Sequence, residues 1–188
     1  MDPYVYPHSK VLKNKLGITD YDSWKEIEGL LAASRILELR QKTPAFRRFD
    51  FEALKAMHRY IFQDMYAWAG SPRTIAIAKG NTMFCLPQNV DSFAQEIFGR
   101  LANLAALQQA TRPELVAFLG DLFCDINMLH PFREGNGRTQ REYMFYLAKA
   151  LGYQLDLALA DASLYQAASL QSPVSSELAH RLIEENLR

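Results

Sequence analysis

The sequence predicts an all-α fold of about seven helices with one β-hairpin, and three observations predict it. Apolar residues recur at helical spacing over most of the 188 residues. Only one stretch, 73–87, alternates in the manner of paired strands. Helix-starting and helix-stopping residues punctuate the rest. At about 100–200 residues per domain the length suits one domain over 1–188. Residues 1–19, with Pro3, Pro7 and Gly17, read as an irregular lead-in.

The elements follow in order. Trp24, Ile27, Leu30, Leu31, Ile36 and Leu39 place a first helix over Tyr21 to about Gln41, with Asp20 or Asp22 as cap. Asp50 caps a second, from Phe51 to about Trp68, with Leu54, Met57, Ile61, Phe62 and Met65 as its buried stripe. Gly70-Ser71-Pro72 ends it. Arg73 to Ala78 and Thr82 to Leu86 then read as strands around a Lys79-Gly80-Asn81 turn. An isolated hairpin is marginal in water, so this one leans on the helices or works for a living site. A third helix covers about Val90–Leu107. A fourth starts at Thr111-Arg112-Pro113-Glu114, an N-cap with Pro just inside, and runs to about Met128. A fifth runs from Asn136 to about Ala150 and stops at Gly152. Two shorter helices fill 160–171 and 175–187.

Composition excludes several classes. Lys+Arg and Asp+Glu are both 21, so the formal net charge is zero, which argues against holding nucleic acid by bulk charge. Apolar runs break well short of the ~18 residues a membrane span needs. The N-terminus has no basic stretch followed by an apolar run, so no signal peptide is expected. The two cysteines form no Cys-x-x-Cys pair and suit a reducing, cytoplasmic setting. Cys124 falls in a helical core pattern, and Cys85 in the hairpin reads as inert. No set of His, Cys, Asp and Glu has zinc-ligand spacing. His58 sits among apolar helix residues and reads as structural. His8 and His180 are isolated.

Chemistry concentrates in Leu129-His130-Pro131-Phe132-Arg133-Glu134-Gly135-Asn136-Gly137-Arg138-Thr139-Gln140-Arg141. Pro131 stops the fourth helix at or just before His130. Gly135 and Gly137 let the backbone approach a ligand closely. The fifth helix then begins, and its first N–H groups form a ready anion site. Arg138 and Arg141 share a face and present guanidinium forks suited to phosphate. Two cations there oppose the macrodipole unless an anion lies between them. Glu134 is placed to hold magnesium against such phosphates. His130, at the mouth, has the side chain best tuned to accept a proton near neutrality. The loop is not a Walker A loop. Phosphoryl or nucleotidyl transfer to a hydroxyl needs little beyond these parts.

His130 to Arg141 resembles the Fic motif, His-Pro-Phe-x-Asp/Glu-Gly-Asn-Gly/Lys-Arg-x-x-Arg, at every defined position. Met57-His58, Tyr66 to Gly70 and Lys79 to Phe84 are similar to the helix, turn and flap that precede it, and Asp2-Pro3-Tyr4 to the lead-in of bacterial Fic toxins. The resemblance implies a helical domain that transfers AMP from ATP to a hydroxyl of a target protein. It implies His130 as base and Glu134 as the Mg2+ ligand. Gly135, Asn136 and Gly137 would hold the phosphates, with Arg138 and Arg141 on the distal ones. Relatives of the Doc type carry Lys at the Gly137 position and act as kinases, so Gly137 favours adenylylation. The hairpin becomes a flap along which the target docks as an added strand. Lys79 and Gly80 would border the adenine, Thr82 would line the flap, and Phe84 is either a target clamp or core filler.

Many Fic proteins carry an inhibitory Ser/Thr-x-x-x-Glu-Gly/Asn. Here Glu28-Gly29 is preceded by Trp24 at the Ser/Thr position, and Glu185-Asn186 by Arg181. The departure implies a toxin whose inhibitory glutamate comes from a separate small helical antitoxin. Resemblance also suggests DNA gyrase and topoisomerase IV as targets. Transfer of UMP, phosphocholine or phosphate, and a catalytically silent binding module, are the competing readings.

Overall fold

The structure is a computed structural model and describes residues 2–42, 48–80 and 82–188. Among these, eight α-helices and one short hairpin follow in the order α1 (Tyr21–Lys42), α2 (Phe51–Phe62), β1 (Ala78–Lys79), β2 (Thr82–Met83), α3 (Val90–Gly99), α4 (Leu104–Gln108), α5 (Arg112–Leu129), α6 (Asn136–Ala150), α7 (Ala162–Gln171) and α8 (Glu177–Asn186). A single 3-10 turn, Pro87–Asn89, precedes α3. None of the described helices is long and apolar enough to cross a membrane.

The α5–α6 pair forms the centre. α5 packs on α3, α6, α7 and α8, and α6 also packs on α2, which packs on α1. Leu119, Leu122, Phe123 and Leu129 of α5 and Tyr143 and Leu147 of α6 are fully buried. Each of the leucines and Phe123 contributes about 2 kcal/mol by leaving water, whereas the Tyr143 hydroxyl is buried without a hydrogen-bond partner among the described residues, which offsets part of its ring's gain. Caps set the ends of both helices. Glu114 accepts from the Thr111 N–H at 2.8 Å to start α5. Past α6, Gly152 turns at φ +90° and the Tyr153 N–H reaches back to the Ala148 carbonyl at 2.9 Å. Asp50 caps α2 by accepting from the Ala53 N–H, and Asp20 caps α1 through Ser23. Arg40 joins α1 to α6 and the following loop, donating to Glu142 at 2.9 Å and Asp156 at 2.7 Å.

Three sequence-based boundaries are corrected. α2 stops at Phe62, not Trp68: the Met65 carbonyl accepts from Lys15 and the Tyr66 hydroxyl from Trp24, so both residues are buried by the lead-in and α1 rather than by helix periodicity. The expected helix over 90–107 divides into α3 and α4, because Leu101 and Ala102 bond three residues back and Asn103 caps a new start through Ala106. That division gives eight helices where about seven were expected. The hairpin is also shorter than expected. Only Ala78–Lys79 and Thr82–Met83 pair, in register Ala78 with Met83 and Lys79 with Thr82. Before Ala78 only the Ile77 carbonyl still accepts a backbone N–H across the hairpin among the described residues, from Phe84 at 3.3 Å, and the Arg73 N–H turns away to bond Pro131. Asn81 of the expected turn lies outside the described residues, whereas Gly80 takes φ +59°. The lead-in, expected to be irregular, holds one isolated bridge between Val5 and Leu12.

Candidate active site

α5 ends at Leu129, and His130 follows in the left-handed region at φ +42°, ψ +57°. Asn and His tolerate that region better than most residues, but it still carries strain. The His130 Nδ1 lies 3.2 Å from the Asn127 carbonyl. A carbonyl only accepts, so Nδ1 carries the proton and Nε2 keeps its lone pair. The Phe84 ring stacks on the imidazole with centroids 3.8 Å apart and planes 17° apart. Burial, more than any neighbour, pushes the His130 pKa down to about 4, with the Arg73 charge acting in the same direction. The imidazole is therefore neutral across the physiological range, with its Nε2 lone pair free, and it is a weaker base than the near-neutral histidine that the sequence predicts.

The loop from Pro131 to Gly135 is held by its own motif residues. The Asn136 side chain accepts from the Phe132 N–H at 2.9 Å and donates to the Phe132 carbonyl at 2.8 Å. It folds the loop back on the helix start. Gly135 turns at φ +81°, and a Cβ there would lie 2.4 Å from the Phe62 ring. Only glycine fits. No side chain caps the first amides of α6, which leaves them for an anion. Glu134 accepts from the Gly135 N–H at 3.0 Å, and its half-exposed carboxylate stands 3.7 Å from Arg138. His58 supports this loop from below. Its Nδ1 accepts from the Gly70 N–H at 2.8 Å, so the other nitrogen donates to the Glu134 carbonyl at 3.0 Å. Its ring stacks on Phe132 at 3.7 Å. His58 is thus structural, in agreement with its apolar sequence setting.

Arg138 makes a bidentate pair with Glu28 of α1, both bonds 2.7 Å, and lies over the Phe62 ring at 4.7 Å. Arg141 lies over the Tyr165 ring at 5.3 Å and has no salt bridge among the described residues. A cavity of about 160 Å³ opens beside His130, walled by Lys79, Thr82 and Phe84 of the flap on one side and Tyr165, Gln166 and Ser169 of α7 on the other. Tyr165 connects this cavity to the α6 start, since its hydroxyl is 3.7 Å from where a Gly137 Cβ would be. The structure brings His130, Glu134, Gly135, Asn136, Gly137, Arg138 and Arg141 together. Lys79, Thr82 and Phe84 face them, while Gly80 sits at the exposed hairpin tip outside the cavity lining.

Sequence reasoning missed Asn127, Tyr165, Gln166, Ser169 and Glu28. Glu28 had a legible signal: a carboxylate four residues from both Trp24 and Ala32, on the buried face of α1. Tyr165 had none beyond its helical position. The cysteines behave as expected of unreactive thiols. Burial pushes Cys124 up to about 12 and also raises Cys85.

Residues 48–148 match the sequence pattern of the Fic/DOC family. The chain belongs to the Fic/DOC family. It is 36% identical over 187 residues to the protein adenylyltransferase VbhT of Bartonella schoenbuchensis, covering 99% of this chain and 39% of that protein. It is also 36% identical over 179 residues to "Probable protein adenylyltransferase y4lH" of Sinorhizobium fredii, covering 95% of this chain and 91% of the relative. The chain thus spans about two-fifths of the one relative's length and about nine-tenths of the other's. Among solved structures, the N-terminal Fic domain of a VirB-translocated Bep effector protein from Bartonella quintana, with bound ADP, matches at a TM-score of 0.92. That match has 27% identity and covers 98% of this chain and 94% of that one. The expected Fic membership and helical fold with one hairpin are borne out, and the expected protein adenylyltransferase class agrees with the names of these relatives.

Two buried histidines tie this site to acid stability. The His58 pKa is pushed down to about 3, chiefly by burial, and the His130 pKa to about 4. In the unfolded chain both take protons near pH 6.5. Below that pH the unfolded state binds more protons, so the stability present above pH 6.5 is lost as pH falls toward 4 and 3. Between pH 7 and pH 5, His58 should cost about 2 kcal/mol and the more open His130 less. Urea midpoints at the two pH values check this, and equal midpoints would contradict it.

Proposed function

We propose that the chain transfers the adenylyl group of ATP to a hydroxyl side chain of a target protein. The supporting observation is the His130 tautomer: Nδ1–H is committed to Asn127, so Nε2 presents its lone pair beside an uncapped helix start flanked by Arg138 and Arg141. In this reading the triphosphate lies along the Gly135-Asn136-Gly137 backbone and meets the free amides of Asn136 and Gly137, the Gly135 N–H being held by Glu134, with Arg138 and Arg141 on its distal charges. The base enters the cavity between Lys79, Thr82 and Tyr165. Nε2 takes the proton of the target hydroxyl as that oxygen bonds the α-phosphorus, the bond to the β-phosphate oxygen breaks, and pyrophosphate leaves.

Glu134 suits one Mg2+ among phosphates. Magnesium commonly takes one or two carboxylates and fills its shell with phosphate and water, and no three-residue metal cluster exists among the described residues. When bound, the ion would offset charge on the phosphates. The chain's own part is to aim the Glu134 carboxylate by the Gly135 N–H and the His58 bond to its carbonyl.

The finer reading is a cytoplasmic toxin with gyrase and topoisomerase IV as targets and an antitoxin as partner. It rests on the missing inhibitory motif and on Arg141, which makes no salt bridge among the described residues and feels a carboxylate, Asp156, only at longer range. The test uses ATP labelled on either the α- or the γ-phosphate, with a bacterial lysate as acceptor. Label should remain on protein only from the α position. Retention from the γ position would assign phosphoryl transfer instead. Purified gyrase and topoisomerase IV subunits as acceptors test the target class.

A further inference from the structure

The flap does not reach His130 through strand pairing; beside the Phe84 ring stacked on the imidazole, Arg73 connects them. This residue is 2% exposed, and no carboxylate pairs with it among the described residues. Its guanidinium is spent on backbone carbonyls instead. Nε donates to His130 at 2.8 Å, Nη1 to Ile75 at 2.7 Å, and Nη2 to Cys85. Its own N–H donates to Pro131 at 2.7 Å. One residue therefore holds two successive carbonyls of the turn that carries the base, and both arms of the hairpin. The Cys85 N–H completes the join by donating to Met128 in the last turn of α5 at 3.0 Å.

Burying a cation without a counter-ion is costly, and hydrogen bonds to all three nitrogens offset that cost only in this one geometry. The planar fork fixes directions as well as distances, which an ammonium does not. The peptide that it grips is the strained one: His130 is in the left-handed region, and such a conformation persists only when its surroundings over-determine it. Phe84, between the Cys85 anchor and β2, is thereby kept stacked on the imidazole.

We infer that Arg73 is a positioning residue of the transfer reaction: its guanidinium locks the His130 turn and the two arms of the flap into one unit, so that base and docked hydroxyl keep a fixed separation. The inference rests on the proposed role of His130. Nothing in it requires Arg73 to touch ATP, so it separates cleanly from the phosphate-binding arginines. A misplacement of about 1 Å in such a constellation can lower a rate by about 10²-fold.

The test compares R73M, R73K and the unaltered chain, with α-labelled ATP and a clarified bacterial lysate as acceptor, at a temperature where each variant is folded by circular dichroism. In R73M the rate at saturating ATP should fall about 10²-fold while KM for ATP stays within about twofold. R73K, which keeps the charge but not the fork, should recover part of that loss. A purely structural role would lower the melting temperature and leave the folded fraction turning over at the normal rate, which would overturn the inference. So would a raised KM with an unchanged rate. Hydrogen exchange on the unaltered protein serves if neither variant folds. The amides of Arg73 and Cys85 should be as protected as that of His130, and exchange at open-loop rates would equally overturn it. Full activity in a His130 variant would instead sink the base assignment and leave the Arg73 lock to be read from exchange alone.

Discussion

Replacing His130 by asparagine should lower adenylyl transfer by about 10²–10⁴-fold, the usual worth of a positioned base, while ATP still binds. Asparagine is the sharper choice than alanine. The backbone at His130 is left-handed, and asparagine adopts that region with little penalty, whereas alanine adds a strain of about 1 kcal/mol or more. The turn therefore survives, and with it the Arg73 bond to the backbone carbonyl at position 130, but the imidazole's bond to Asn127 is lost and no basic nitrogen remains. Calorimetric titration with ATP and magnesium should give an affinity within about threefold of the parent, because the amides and arginines that meet the phosphates are untouched. A large loss of ATP affinity would show that His130 belongs to the binding surface rather than the chemistry. The pH profile of the parent adds a second check. With the imidazole pKa near 4, base-dependent transfer should stay level from pH 8 to about 5.5, where an ordinary histidine would already be half lost near 6.5. An acid limb centred near 6.5 would mean that the ring is more open to water than its stacking on Phe84 implies.

What could be read in the sequence was local. The loop from His130 to Arg141 carries its own instructions: proline to stop one helix, glycines for a left-handed turn and a close approach, and an asparagine whose amide folds back four residues. Those constraints act over a few bonds, so composition and spacing reveal them. The ends of α5 and α6 were legible for the same reason, through Thr111 with Glu114 and through Gly152. The missed features depend on contacts made only after folding. Met65 and Tyr66 continue an apolar period beyond α2 because the lead-in and Trp24 cover them. Periodicity reports burial, and burial does not require a helix. Arg73 opens a stretch that alternates like a strand, yet its partners are carbonyls on another segment. Tyr165 reaches the cavity only because α7 packs on α5. The site is thus half motif and half scaffold, and only the motif half is written contiguously.

The second large effect concerns Arg138, whose removal should destabilise the fold as well as weaken nucleotide binding. Glu28 lies on the covered face of α1 with its carboxylate almost entirely shielded, and both of its oxygens are committed to Arg138. Arg138 keeps a partly open side, a second carboxylate at Glu134 and the face of Phe62. The pair is therefore asymmetric. Taking away the arginine strands a shielded anion, a loss of about 3–5 kcal/mol in comparable buried pairs. Taking away the glutamate leaves a cation that still has solvent, Glu134 and a ring, and should cost less. R138M should lower the melting temperature by roughly 10 °C, at about 2–4 °C per kcal/mol for a chain of this size. E28Q should lower it by a few degrees at most, and the double variant should recover most of the R138M loss, since a neutral amide tolerates the covered position. Thermal melts of the four proteins give the coupling energy directly. Additive losses would show that the two groups do not act as a pair. Nucleotide titrations on the same proteins separate the roles: E28Q frees the guanidinium for phosphate and should bind ATP at least as well as the parent, whereas R138M should bind it more weakly whether or not Glu28 is present.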